Sequence, residues 1–416
     1  VAELIDREKV IRWALEAASF YSPTGHEGAV AKYLYEECRK LGLQAKLQPV
    51  AKGRDNVIGR LEGSGGGYEL MFNGHLDTFR TGRPGGRYTF GSTKSLYQDE
   101  SEEPPPPKVI DDQWLFGHEI ANMKSAIAAY LGAVDAIIRS GIQLKGGVVI
   151  AGVVGTDPTS SWTDGNPVPL DEELGIGTRY MLNHGVTADM CVLGEPTSLA
   201  VVPNGLGRVR VKLTVSSGDG TYIAPIEKMN RVLAAFEEWV PTYQKAHKYK
   251  TVLPGVSVAA IQCRNDFPGN CNVYLEFRTI PGQHPLDVVN EVRGVASRLQ
   301  AEDAKLNILT ETLLTEPATE IDIDAPVVRA LRRAHELVVQ VPPEITYVEY
   351  SGDSVRLNQA GVPTVIYGPA AWGPGGKVYK GASKGHSMDY QNVKDLVTAA
   401  QVYAVVAADI CSRDRS

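Results

Sequence analysis

The segment NGHLDT at 73–78 places His75 and Asp77 two positions apart at the end of an apolar stretch. In a strand that spacing puts both side chains on one face. A histidine oriented by a nearby carboxylate is a common metal-ligand arrangement, and a structural His–Asp pair is the alternative reading. GHEIANMK at 117–124 enters a helix with Asn122 at its start, which taken alone is an N-cap. DEELGIGTRY at 171–180 offers Asp171, Glu172 and Glu173 at a helix N-terminus, where acids ordinarily complement the helix dipole. GEPT at 194–197 sets Glu195 directly after a buried strand, and Pro196 favours an extended Glu195 that points into the crevice where α/β sheets build their sites. In GHSMDYQNV at 385–393, His386 occupies a Gly/Ser loop ahead of the last helix. Together these are imidazoles and carboxylates at strand ends, an N/O donor set that suits Zn²⁺ or Mn²⁺. No cysteine sits among them and no glycine-rich phosphate loop competes.

Elements that alternate along the chain must position these groups. Helical periodicity covers 3–20 and 28–41, with Gly42 as a stop. Strands are expected at 57–63 and 68–75, an Ala-rich helix at 122–139, and a strand apolar on both faces at 146–155. Helix 175–184 and strand 188–194 continue the alternation, which implies an α/β fold with a sheet between helices. Around Gly205 the texture changes. GRVRVKLTVSS at 207–217 alternates polar and apolar as a strand, and helix, strand, strand, helix, strand follow at 225–239, 256–263, 272–279, 285–300 and 306–312. That order describes an α+β unit at 207–315 inserted into a larger domain made of 1–206 and 316–416. The α/β pattern then resumes with helix 325–340, a strand near 346–349, helix 352–360, strand 363–368 and helix 391–411. The acidic, proline-rich 98–107 and the polar 156–170 read as surface insertions.

The chain has 416 residues, and its 22% charged and 43% hydrophobic content is that of a globular protein, which excludes disorder, collagen and a nucleic-acid coat. A net charge of −7 names no partner. No apolar run is long enough for a membrane span, and the charged first helix is no secretory leader. The five cysteines have no metal-type spacing, and one would stay unpaired in any full disulfide set. The expectation is a soluble cytoplasmic protein with no nucleic-acid or membrane partner.

In order, GHLDT, GxxxxNMK, DEExGxGT, GEPT and GHSMD resemble the metal-dependent amidohydrolases that include acetylornithine deacetylase, succinyl-diaminopimelate desuccinylase, aminoacylase-1 and carboxypeptidase G. The resemblance runs nearly the whole length. It includes NDFPGNCNVYLEFRTIPG at 265–282, which is similar to the family's Asn-x-x-Pro-Gly…Arg-Thr-x-Pro-Gly stretch. The resemblance implies a catalytic domain with a mostly parallel mixed sheet, and a ferredoxin-like insert that serves as lid and dimerisation surface. It implies that His75 and Glu195 ligate one metal with Asp77 behind His75, and that Glu173 and His386 ligate a second. Asn122 then stands where the family has a bridging carboxylate, and Glu172 is the general base that deprotonates the attacking water. Arg278 and Asn265 would bind a substrate carboxylate and its surroundings, with Gly368 lining the pocket. A homodimer acting on a small carboxylated molecule is the implied assembly.

Three departures from the family pattern carry weight. Asn122 is neutral and offers one oxygen, so two neighbouring cations would repel with less compensation; one divalent ion per chain, Mn²⁺ or Zn²⁺, is expected. The lid motif reads Gly220-Thr221-Tyr222-Ile223-Ala224-Pro225, with Tyr222 in place of the histidine that serves the oxyanion. A phenol still donates one hydrogen bond, but losing an oxyanion donor costs about 10²–10³ in rate. Sixteen positions separate Gly155, the end of the central strand, from Asp171. Either 156–170 loops out and leaves Glu172 and Glu173 in place, or Asp157 takes the strand-end position. The expected activity is hydrolysis of a C–N bond, with N-acyl amino acid deacylation and carboxypeptidase action as one form. Hydrolytic deamination of an aromatic amine such as 5-nitroanthranilate is another, since the ring would carry the charge and no carbonyl oxyanion hole is needed. A non-catalytic binding protein on the same scaffold is the rival from another class.

Overall fold

The computed structural model describes residues 1–78, 106–156, 175–216, 225–264, 269–369, 381–383 and 386–415, with 264, 381–383 and 386–388 described for backbone alone. Of the expected site residues, Glu172, Glu173, Tyr222 and Asn265 lie outside the described residues, as do Asp157 and most of both expected insertions.

The central sheet holds six strands in the order β1-β2-β6-β3-β7-β14. They are β1 (Gln44–Ala51), β2 (Arg54–Leu61), β3 (Leu70–His75), β6 (Val148–Val153), β7 (Met190–Leu193) and β14 (Thr364–Ile366). β6, β3, β7 and β14 run parallel, while β1 and β2 add an antiparallel edge. Every residue of β3, β6 and β7 is buried, and apart from Asn73 and His75 in β3 none is polar. α1 (Arg7–Ala18), α3 (Ser125–Ser140), α7 (Pro326–Val339) and α9 (Val393–Cys411) contribute to the core on one face, where the rings of Phe72, Tyr130 and Tyr403 meet at centroid distances of 5.0–5.3 Å. α4 (Ile176–Asn183) and α8 (Asp353–Gln359) cover the other face through Met181 and Leu357 against Met71 and Cys191. The α/β expectation holds.

A second, antiparallel sheet runs β10-β11-β9-β12, built from β9 (Gly207–Ser216), β10 (Gly255–Arg264), β11 (Asn270–Thr279) and β12 (Ile308–Glu316). Val209, Val211, Leu213 and Val215 alternate inward against α5 (Pro225–Ala246) and α6 (Pro285–Glu302) and form a separate core. The chain crosses between the two sheets twice, where β8 (Asn204–Gly205) pairs with β13 (Thr319–Glu320). Cys263 and Cys271 face each other across β10 and β11 and are joined as a disulfide, while Cys38, Cys191 and Cys411 are free and buried. No helix among the described residues is long and apolar enough to cross a membrane.

Three local expectations are corrected. His386 opens a strand, β16 (His386–Asn392), rather than lying in a loop; it pairs with β5 (Trp114–His118), flanked by β15 (Gly381–Ser383) and β4 (Lys108–Ile110). Its polar composition hides the period-two pattern, because the ladder supplies the order that burial supplies in β3. The helix after GHEIANMK starts at Ser125, three residues beyond Asn122, whose backbone is non-helical at φ −121° and ψ 91°. Residues 346–349 form no strand; only an isolated bridge joins Ile345 to Val201.

Candidate metal centre

The parallel strands deliver their C-terminal ends to one edge of the central sheet, the place where open α/β sheets build sites. His75 is the last residue of β3, Glu195 follows β7 by two residues, and Gly368 follows β14 by two. β5 leads into the segment that carries Asn122, whose peptide bond to Met123 is cis.

His75, Asn122 and Glu195 converge. His75 Nδ1 donates to the backbone carbonyl of Asp77 at 2.8 Å. A carbonyl only accepts, so Nδ1 carries the hydrogen and Nε2 faces the cleft. There Nε2 lies 3.0 Å from Asn122 Oδ1 and 3.6 Å from Glu195 Oε1. Neutral His75 would turn a lone pair toward two oxygens, an arrangement that acceptors make around a cation. The residues present therefore fit a divalent ion with N/O ligands. In its absence a proton serves: burial works against a charged ring, but the carboxylates of Glu195, Asp77 and Asp353 outweigh it and hold the His75 pKa up at about 9.

Asp77 stands behind His75, and the contact is made by its main chain. It orients His75 through its main-chain oxygen, while its carboxylate stands 3.8 Å from Nδ1 and is held by Thr24 Oγ1 at 2.9 Å and Thr156 N at 3.1 Å. Two glycines fix Glu195. A Cβ on Gly194 would lie 2.1 Å from the Tyr130 hydroxyl, which donates to Asn73 O at 2.7 Å. A Cβ on Gly368 would lie 2.4 Å from Glu195 O, so Gly368 works by close approach to the backbone of Glu195.

Arg278 is placed away from this cluster. It lies on β11 with Nη2 3.1 Å from Glu276 Oε1. Although burial opposes its charge, Glu276 is held down at about 2 by Arg278, Arg210 and Arg208. For His386 the backbone of β16 is described and the side chain is not. Among the described residues no group of three or more His, Cys, Asp or Glu side chains could hold a metal; Asn122 supplies the third donor. Sequence reasoning missed Thr24, Thr156 and the turn at Gly352, where a Cβ would stand 3.9 Å from Glu195 Oε1. The Gly-Asp-Ser run at the start of a helix after an extended segment was the available signal.

Residues 169–409 match the family described as peptidase family M20/M25/M40. The chain belongs to that family. Its relatives include the N-formyl-4-amino-5-aminomethyl-2-methylpyrimidine deformylase of Bacillus subtilis (strain 168), 24% identical over 407 residues and covering 87% of each chain. The succinyl-diaminopimelate desuccinylase of Gluconacetobacter diazotrophicus is 26% identical over 330 residues, covering 74% of this chain and 78% of its own. Among solved structures, the YXEP protein of Bacillus subtilis, described as a dinuclear metal binding peptidase from the M20 family, superposes with a TM-score of 0.63 at 14% identity, covering 97% and 98% of the two chains. The M20 assignment makes the chain a hydrolase of amide-type C–N bonds, as the motif order implied.

Proposed function

We propose that this chain is a metal-dependent hydrolase that removes a small acyl or formyl group from the nitrogen of a small carboxylated substrate. The convergence of His75 Nε2, Asn122 Oδ1 and Glu195 Oε1, with the His75 proton fixed on the opposite nitrogen, carries the reading. In this reading His75, Asn122 and Glu195 hold one divalent ion, Mn²⁺ or Zn²⁺, and Glu173 and His386 complete the donor set. A bound ion supplies Lewis acidity and acidifies water at neutral pH. Glu172 takes the proton of the attacking water and returns it to the leaving nitrogen. Asp77 keeps the His75 ring in register, and Arg278 and Asn265 receive the substrate carboxylate.

A second reading rests on Tyr222 at the position of the family's lid histidine. Water would then add to the amine-bearing ring carbon of an aromatic amine such as 5-nitroanthranilate, the ring carrying the negative charge until the amino group leaves as ammonia. We also propose a homodimer through the second sheet, whose edge strands β10 and β12 expose Val258, Ile261 and Leu309. The cytoplasmic location expected from the sequence is a proposal that meets one opposing feature, the Cys263–Cys271 disulfide, because such bonds persist in oxidising compartments.

Elemental analysis of protein purified without chelator, followed by a panel of N-formyl, N-acetyl and N-succinyl amino compounds and 5-nitroanthranilate, tests these readings. Metal with amide turnover supports the first, and metal with aryl-amine turnover alone supports the second. Ligand binding without stoichiometric metal or turnover would mean a binding protein.

A further inference from the structure

Residues 350–359 connect two places that the proposed reaction requires to act together. At their start, Gly352 lies against Glu195, where a Cβ would stand 3.9 Å from Oε1. At their end they grip both crossings between the sheets. Asn358 Nδ2 donates to Thr319 Oγ1 at 3.3 Å and Gln359 Nε2 donates to Pro317 O at 3.1 Å. On the other crossing, Gly205 packs so closely that a Cβ would lie 2.7 Å from Val355 Cγ2 and 3.0 Å from Ser354 Oγ.

Arg356 is the hub of this segment, and it is 6% exposed. Nη2 lies 3.0 Å from Glu316 Oε1 at the end of β12, and Nη1 lies 3.4 Å from Asp353 Oδ1, one residue after Gly352. Ser351 Oγ donates to the other oxygen of Glu316 at 3.1 Å. The guanidinium also lies across Gly175, where a Cβ would stand 2.2 Å from Nε. Gly175 comes two residues after Glu173, at φ +59°. One buried cation thus touches the second sheet's exit, the turn beside Glu195, and Gly175. A buried ion pair adds little net stability over an apolar substitute of similar volume, so its use here lies in the geometry it imposes.

Resting on the metal-centre reading, we propose that Arg356 is a positioning residue, through which the donor geometry at Glu195 depends on the Glu316 crossing. Closure or displacement of the second sheet would then be felt at the metal before any substrate is touched.

The test measures Zn²⁺ affinity by competition with a chromophoric chelator, on full-length variants whose fold is verified by circular dichroism. Glu316→Gln keeps the shape and removes the charge, while Arg356→Lys keeps the charge and loses the planar fork. Both are expected to bind Zn²⁺ about 10–100-fold more weakly, the usual effect of losing a residue that orients a ligand. Glu316→Asp, the conservative change, should recover most of the affinity. Glu291→Gln, which breaks the pair with His247 away from the hinge, should match wild type. Wild-type affinity in Glu316→Gln and Arg356→Lys overturns the inference, and so does an equal loss in Glu291→Gln. A wild-type chain that binds no divalent ion refutes the metal-centre reading and this inference with it. Normal wild-type binding with unaffected variants refutes the inference alone.

Discussion

His75 Nε2 lies 3.0 Å from the side-chain oxygen of Asn122, and Glu195 Oε1 approaches the same nitrogen at 3.6 Å. A carboxylate at position 122 would offer a second oxygen and cancel one positive charge; the amide does neither. Asn122→Asp should therefore raise metal content from about one toward two ions per chain. Elemental analysis under matched conditions measures it, and two tightly held ions in the wild type would remove the basis for this expectation.

The carboxylates around His75 also set the sign of a pH effect. Burial opposes the charged ring, yet Glu195, Asp77 and Asp353 hold its pKa up at about 9 in the metal-free fold. The ordinary value is about 6.5. A raised folded-state value stabilises the metal-free protein fully below the unfolded pKa, and that contribution is lost as pH rises through 9. A metal ion must displace the same proton, so its apparent affinity should climb about tenfold per pH unit between 7 and 9 and then level off. Chelator competition at several pH values reads the slope; a flat profile would place the metal away from His75.

Much of this centre was legible in the sequence because strand ends write themselves locally. Largely apolar runs fix β3 and β7, and His75 at the end of the first and Glu195 two residues after the second emerge at the sheet edge. What was illegible depends on partners far along the chain. β16 is polar and becomes a strand only because β5 is there to pair with it. Glu316 and Arg356 lie forty residues apart, and no periodicity links them. The use of the Asp77 carbonyl at 2.8 Å, rather than its carboxylate at 3.8 Å, to orient His75 is likewise a matter of local geometry that composition cannot carry.

Gly368 gives a prediction that needs no substrate. A Cβ there would meet Glu195 O at 2.4 Å and Gly194 O at 2.5 Å, both backbone atoms with little room to yield. Gly368→Ala should cost about 1–3 kcal/mol of stability, the range for overpacking a close contact. It should also weaken metal binding, because Glu195 must move. Urea unfolding of the metal-free protein separates the two effects, and unchanged stability would contradict the close approach.

The disulfide can be counted directly. Cys38, Cys191 and Cys411 are buried and free, while Cys263 and Cys271 are joined. Burial holds the Cys38 and Cys411 thiols up at about 12, so neither should react with a thiol reagent in the folded state at neutral pH. Denatured but unreduced protein should yield three thiols, and reduced protein five. Five thiols without reduction, in protein isolated under air, would remove the feature opposed to a cytoplasmic location.

The identity of the base is the sharpest question left to mutagenesis, because Glu172 and Asp157 compete for it in the sequence. Gly155 leaves β6 with φ +66°, and Thr156 N is committed to the Asp77 carboxylate at 3.1 Å, so the chain passes the His75 cluster at that point. Gly175 is pinned against Arg356. Asp157 follows Thr156 directly, and Glu172 and Glu173 precede Gly175 by three and two residues. If Glu172 takes the proton, Glu172→Gln keeps shape and hydrogen bonding and should lower turnover by about 10²–10⁴-fold with metal still bound. Glu173→Gln should instead lose metal affinity, and Asp157→Asn should be nearly silent. Steady-state rates on whichever substrate the panel identifies, with metal content measured on the same samples, decide it. An inactive Asp157→Asn beside an active Glu172→Gln would move the base to the strand end and leave Glu172 and Glu173 as a helix-start pair that complements the dipole of α4.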